Sequence, residues 1–180
     1  SYNIYHHESF DGGSNGTTID ETNANYAHCY ATGGASVKFS SSQYVTPYLS
    51  ARVNVAGSSG NVSCESDFDD ANIRFDRFYF RFDPVATLST NAILMSYKDQ
   101  NQTNPVAQLQ LDTSARLCVK DMFTCNTSTG RTAALTSNTW YRIETAIYGS
   151  TIYMRVFSGT NLHGTTPDGG TTYSAALSGA

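Results

Sequence analysis

Three carboxylates stand at alternate positions in one short acidic run, Glu65, Asp67 and Asp69. On an extended segment alternate side chains point to the same face, so these three groups would lie together. Two carboxyl groups about 5 Å apart can serve as nucleophile and acid in glycoside hydrolysis. The same oxygens, with those of Asp70, would also suit calcium, which takes roughly six to eight oxygen ligands. A solvated acidic loop before a strand is the third interpretation.

A second acidic set, formed by Glu8, Asp11 and Asp20, lies in a turn-rich segment near the start of the sequence. Calcium is the cofactor that the two sets suggest, with Glu8, Asp11, Asp67 and Asp69 as its candidate ligands. Neither set has the spacing of a recognised calcium-binding loop, so ordinary surface carboxylates remain an alternative for both. We predict that the four histidines are surface residues, because no carboxylate or third histidine stands at zinc-binding spacing.

Alternating apolar residues after Phe75 predict half-buried antiparallel strands. Ile143 and Met154, for example, stand on the predicted core side of their strands, and Arg142 and Arg155 stand on the other side. The outward positions collect basic, tyrosine and glutamine side chains: Arg77, Tyr79, Arg81, Gln108, Gln110, Arg116, Lys120, Arg142, Tyr153 and Arg155. If the strands share one sheet, these side chains form one polar face. If the strands divide between two sheets, the set is scattered.

A polar face of this kind suits anionic glycans, because an arginine can hold a carboxylate with two parallel hydrogen bonds. The candidate ligand-binding residues are Arg77, Tyr79, Arg81, Gln108, Gln110, Arg142, Tyr153 and Arg155. A lyase could use the same residue types, with tyrosine as proton carrier and arginine stabilising the charged intermediate. A plain solvated sheet face is the third interpretation, and we assign no catalytic residue.

The composition is typical of extracellular or virion-surface β proteins. Charged residues make up 14% and aromatic residues 12% of the 180 residues, and serine and threonine are abundant. The net charge of −4 is too mild to favour nucleic acid as a partner. No stretch approaches the roughly 20 apolar residues of a membrane-spanning helix. We therefore expect one domain over residues 1–180, secreted or displayed on a cell or virion surface.

The four cysteines allow three full pairings. Cys118 and Cys125 flank a polar stretch, as the two halves of a hairpin staple would, and this leaves Cys29 to pair with Cys64. Two disulfides would indicate an oxidising compartment. Four reduced thiols are the alternative, whereas a zinc site is disfavoured because no C-x2-C spacing is present.

Short strands and polar turns follow one another along the sequence, and they predict an antiparallel β-sandwich. Between Phe75 and Phe78 the apolar residues change parity, which predicts a β-bulge. The strands are expected near residues 36–39, 44–55, 75–82, 92–98, 106–112, 115–120, 131–135, 139–148, 151–157 and 171–177.

The blocks Phe78–Phe82, Ala92–Ser96, Ala107–Leu111 and Thr139–Glu144 resemble concanavalin A-like, laminin G-type jelly-roll domains of bacterial and phage surface proteins. The resemblance implies a jelly-roll β-sandwich. It implies no single function, because this fold serves lectins, hydrolases, lyases, adhesion modules and virion proteins. Retaining glycosidases of this fold carry a Glu-x-Asp-x-Glu strand, from which this sequence departs at Asp69.

We predict a non-catalytic recognition or adhesion module whose partner is a glycan or another cell-surface polymer. The alternative is a structural subunit of a virion or filament, such as a decoration or tail protein. In that case a second copy of the chain or another virion protein would complete an open sheet edge. A polysaccharide hydrolase or lyase is a third, less favoured interpretation.

Overall fold

A computed structural model describes residues 8–45, 49–54, 60–66, 73–83, 90–99, 101, 103–121 and 124–178. These residues form eleven antiparallel strands and two single-turn 3-10 helices, so the prediction of an all-β protein is confirmed. The chain divides into two compact units, Ser1–Asp69 and Asp70–Ala180. No helix among the described residues is long and apolar enough to span a bilayer.

The described residues of the first unit form four short strands, which pair in two separate two-stranded sheets. β1 (His28–Thr32) pairs with β4 (Asn61–Glu65), and β2 (Ser36–Ser40) pairs with β3 (Ser50–Asn54). A small core of Ile19, Val37 and Phe39 packs beside Cys29, which forms the expected disulfide with Cys64 directly across the β1–β4 pair. The sequence pattern predicted β2 and the region of β3, whereas β1 and β4 were not expected.

In the second unit, the residues that the structure describes form seven strands in two sheets. One sheet has four strands in the order β11-β10-β9-β5, and the other has three in the order β6-β7-β8. The strand bounds are β5 (Ile73–Phe80), β6 (Ala92–Lys98), β7 (Pro105–Leu111), β8 (Leu117–Lys120), β9 (Tyr141–Tyr148), β10 (Thr151–Ser158) and β11 (Tyr173–Ala176). A disulfide joins Cys118 to Cys125, as expected.

One apolar cluster lies between the two sheets of the second unit. Leu109 and Val119 come from the three-stranded sheet, and Ile143, Ile152 and Met154 come from the four-stranded sheet. All five are fully buried, as their alternation with polar residues predicted. Two sheets that share one core fit the general architecture of a β-sandwich.

Two predictions about individual strands are wrong. The pairing of β5 with β9 runs without interruption from Ile73 to Phe80, so there is no bulge between Phe75 and Phe78. Phe75 instead lies on the side of the sheet away from the core and is 65% exposed. Residues 131–135 do not form a strand either, because Arg131 makes only an isolated bridge to Cys118.

Candidate functional site

The side of the four-stranded sheet that faces away from the shared core is called the outer face here. Strand register places its residues in rows that run across β5, β9 and β10. The aromatic row contains Phe75, Ala146 and Tyr153, and the charged row contains Arg77, Glu144 and Arg155. The row beyond the aromatic one contains Ile73, Tyr148 and Thr151, and the row beyond the charged one contains Tyr79, Arg142 and Phe157.

Ala146 has the smallest side chain of the aromatic row and is half-buried. Its methyl group is flanked across the sheet by Phe75 and Tyr153, and Tyr148 follows on the same side of β9. Neighbouring strands are about 4.8 Å apart, so the backbones that carry Phe75 and Tyr153 are separated by about 10 Å. Tyr148 is 61% exposed, and Tyr153 is half-buried. Aromatic side chains therefore flank a position with a small side chain, and this arrangement offers aromatic carbon to a flat ring of sugar size.

The charged row lies next to the aromatic row. Arg77 holds the carboxylate of Glu144 with Nε and Nη2, at 2.8 and 2.7 Å from Oε1. The Nε of Arg142 lies 3.5 Å from the same oxygen. Arg155 stands opposite Glu144 in register and donates from Nε to Oγ1 of Thr172 at 3.2 Å. Glu144 is thus neutralised by two arginines, while the exposed guanidinium of Arg155 has no carboxylate within 4 Å among the described residues.

The end of the outer face beyond the charged row is covered, and this corrects the expectation for Arg142. Arg142 is only 4% exposed. Its guanidinium carbon lies 3.9 Å from the centroid of the Phe157 ring, and Nη2 donates to the carbonyl oxygen of Gly164 at 2.6 Å. Tyr79 contacts His163 there, with ring centroids 5.8 Å apart. Arg142 lies on the predicted side of its strand, but the segment after β10 folds over it and removes it from solvent.

The remaining candidates lie elsewhere, so the set divides between the two sheets. Gln108 and Gln110 belong to β7 of the three-stranded sheet, where Gln108 is buried. Arg81 lies beyond the end of β5 and donates to Oδ1 of Asn138 at 2.8 Å. The candidates that the structure brings together on the outer face are Arg77, Tyr79, Arg142, Tyr153 and Arg155.

Two members of the acidic set near the start of the sequence accept hydrogen bonds from residues of the same segment. Glu8 accepts hydrogen bonds from the backbone nitrogens of Phe10 and Asn25. Asp20 accepts hydrogen bonds from the hydroxyl and backbone nitrogen of Thr22, and these bonds hold the pKa of Asp20 below its usual value. No three acidic, histidine or cysteine side chains gather into a possible metal site in the part of the chain that the structure describes.

The second acidic set cannot be followed as a group, because Asp67 and Asp69 lie outside the described residues. Glu65, its first member, accepts a hydrogen bond from the hydroxyl of Ser63 at 3.2 Å. Calcium binding by Glu8, Asp11, Asp67 and Asp69 stays a prediction.

A polar cluster inside the second unit was missed by the sequence analysis. Arg74 and Asp76 occupy core-side positions of β5 and form an ion pair at 2.8 Å. The hydroxyl of Tyr97, on β6, reaches both Asp76 and Thr145. Burial, and then the charge of Asp76, raise the pKa of Tyr97 above its usual value, so its hydroxyl stays protonated near neutral pH. Strict alternation toward the N-terminus from Phe78, which is on the core side, would also have placed Asp76 and Arg74 on the core side.

No protein-family model, no curated protein and no solved structure matches this chain. The class that the structure itself defines is an all-β protein with two disulfides and an aromatic and arginine-bearing sheet face.

Proposed function

We propose that this protein is a non-catalytic recognition module that binds a glycan on the outer face of its four-stranded sheet. The observation that carries the proposal is the placement of Phe75, Tyr148 and Tyr153 beside the small side chain of Ala146 on one face of the sheet. Exposed aromatic rings provide apolar contact area at small cost in side-chain entropy, and adjacent charged groups fix the orientation of a ligand. The face combines both kinds of group within three successive rows.

The proposed context is a secreted bacterial protein or a phage virion protein with a jelly-roll domain. The support for it is the resemblance to concanavalin A-like domains described above, together with the shared core of the two sheets. Disulfides persist mainly in oxidising compartments, so the two in this chain favour a location outside the cytoplasm.

The direct test is a glycan array that compares the wild-type protein with the Tyr148→Ala and Tyr153→Ala variants. We expect each substitution to weaken binding about tenfold, because each removes an aromatic ring from the contact. Tyr30→Ala is the matched control, since Tyr30 is also a partly exposed strand tyrosine but belongs to β1 of the first unit. Binding that is equally weak in all three variants would contradict the proposed location.

A mass measurement in solution over a range of concentrations separates this function from that of a structural subunit. A glycan-binding protein whose mass does not change with concentration supports the proposal. Concentration-dependent assembly without binding to any arrayed glycan would contradict it and would favour the virion or filament subunit.

A further inference from the structure

We propose that the glycan bound on the outer face is acidic and that a carboxylate of the glycan binds the guanidinium group of Arg155. This inference rests on the proposed function, because it names the chemistry of the ligand at the same face. The observation that supports it is the pattern of ion pairs around Glu144, which leaves Arg155 without an acidic partner among the described residues.

The charged row and the covered row that contains Arg142 together hold three arginines and one acid, which leaves two net positive charges. Glu144 is the acid, and Arg77 and Arg142 both approach its Oε1. Arg142 is also engaged by the ring of Phe157 and the carbonyl oxygen of Gly164, so no ligand can reach it without displacing the covering segment. Arg155 is the arginine of this group that is exposed and has no acidic partner among the described residues.

Arg155 is also held in a position suited to a carboxylate. Its Nε donates to Oγ1 of Thr172 at 3.2 Å, so one edge of the planar guanidinium is fixed by the protein. The two terminal nitrogens remain as a pair of donors, and such a pair matches the two oxygens of a carboxylate. Glu144, opposite Arg155 in register, would repel an acidic ligand if it were unpaired, but two arginines neutralise it.

The distance between the aromatic and charged rows fits a sugar acid. Arg155 follows Tyr153 by two residues on β10, so the two side chains stand on the same face about 7 Å apart. In a uronic acid the carboxyl group projects from the edge of the pyranose ring. In one of its orientations, a ring that lies over Ala146 against Tyr153 places this carboxylate beside Arg155, and the proposal assigns that orientation.

Paired polymers with and without the acidic charge test this inference. The probes are polygalacturonate and hyaluronan, each with its methyl-esterified form, and dextran sulfate with dextran. We expect at least one uronate polymer to bind, and its methyl ester to bind about tenfold more weakly. Arg155→Gln should weaken binding of the acidic form by a similar factor and leave binding of the ester unchanged. Arg52→Gln, on β3 of the first unit, is the matched control for loss of an arginine.

Failure of this inference can be distinguished from failure of the proposed function. If the acidic and esterified forms bind equally, or if Arg155→Gln weakens both equally, the carboxylate assignment is wrong although a glycan is bound. Binding of dextran sulfate without binding of either uronate polymer would also overturn the assignment and would indicate a sulfate ester. If neither uronate polymer binds, the inference fails. The glycan array then decides whether the proposed function fails with it.

Discussion

The hydroxyl of Tyr97, on β6, donates a 2.6 Å hydrogen bond to Oδ2 of Asp76, on β5, and so connects the two sheets of the second unit. The Oγ1 of Thr145, on β9, lies 2.8 Å from the same hydroxyl. Tyr97 and Thr145 are both buried. Arg74 also binds this carboxylate: its Nε donates to both oxygens of Asp76, and its Nη2 donates to Oδ1. Four polar groups thus satisfy one another inside a largely apolar interior, which is the condition under which such groups can be buried.

The substitution Tyr97→Phe is expected to lower the free energy of unfolding of the second unit by about 1–3 kcal/mol. Asp76 loses the Tyr97 hydroxyl, and the buried Thr145 hydroxyl keeps, among the described residues, only the sulfur of Met95, at 4.0 Å. Urea unfolding followed by the fluorescence of Trp140, the single tryptophan, measures this quantity. Tyr148→Phe is the matched control, since Tyr148 is largely exposed. That control should change the free energy by no more than about 0.5 kcal/mol. Equal effects of the two substitutions would mean that the Tyr97 network does not stabilise the unit.

The raised pKa of Tyr97 leads us to expect a loss of stability in alkaline solution. Burial and the charge of Asp76 raise the pKa of Tyr97 in the folded protein above its ordinary value of 10.0. Above pH 10 the unfolded chain therefore releases this proton while the folded chain keeps it, so the free energy of unfolding falls as the pH rises. The expected slope from this group approaches about 1.4 kcal/mol per pH unit. Urea unfolding of Tyr97→Phe between pH 9 and about 11 should show a shallower decline, and an unchanged slope would contradict the assignment.

The raised pKa of Tyr26 leads us to expect a similar alkaline loss of stability in the first unit. Burial, and then the charge of Glu8, raise the pKa of Tyr26 to about 12. The stability that depends on this hydroxyl is fully present below pH 10 and is lost progressively as the pH rises toward about 12. Tyr26→Phe should flatten the pH dependence of the free energy of unfolding in this window, as measured by urea unfolding followed by circular dichroism. An identical pH dependence in the variant and the wild type would contradict this prediction.

Alternation of apolar residues predicted the faces of the strands well, because period two is a property of the strand backbone itself. Ile143, Met154 and Leu109 face the core as expected. The pattern could not tell which strand lies beside which, since pairing depends on contacts between distant parts of the chain. For that reason Gln108 was grouped with Arg142, although the two belong to different sheets.

The incorrect bulge has a different cause. Arg74 and Asp76 are charged and occupy core-side positions, whereas Phe75 is apolar and lies on the outer face. A rule that assigns every apolar residue to the core would place both Phe75 and Phe78 inside. It can do so only by inserting a bulge between them. Asp76 remains inside because Arg74 and Tyr97 satisfy it, and these partners cannot be recognised from the local pattern. The covering of Arg142 by the segment that contains Gly164 is equally invisible to the sequence of β9.

Arg142 and Arg77 both pair with Glu144, but we expect them to contribute very differently to stability. Arg142 is buried, stacks on Phe157 and donates to Gly164, so Arg142→Ala should lower the free energy of unfolding by about 2–4 kcal/mol. Arg77 has a side chain that is 62% exposed, and Arg77→Ala should cost no more than about 1 kcal/mol. Urea unfolding of the two variants provides the comparison. Similar losses would show that the covering segment does not depend on Arg142.

Gly130 is expected to be a position where even one methyl group is not tolerated. A Cβ atom there would lie 2.7 Å from the carbonyl oxygen of Val119 and 3.2 Å from those of Asn126 and Ser174, and none of these backbone atoms can turn aside as a side chain would. Gly130→Ala should therefore lower the free energy of unfolding of the second unit by about 1–3 kcal/mol.

Gly164→Ala is the matched substitution in the same unit. Its nearest neighbour would be the carbonyl oxygen of Asn161 at 3.4 Å, an ordinary contact, so the change should stay within about 0.5 kcal/mol. Thermal unfolding of both variants, followed by the fluorescence of Trp140, measures the difference. If Gly130→Ala is as stable as Gly164→Ala, the backbone segments around Gly130 can move away from it. The close approach of Val119, Asn126 and Ser174 is then not required by the fold.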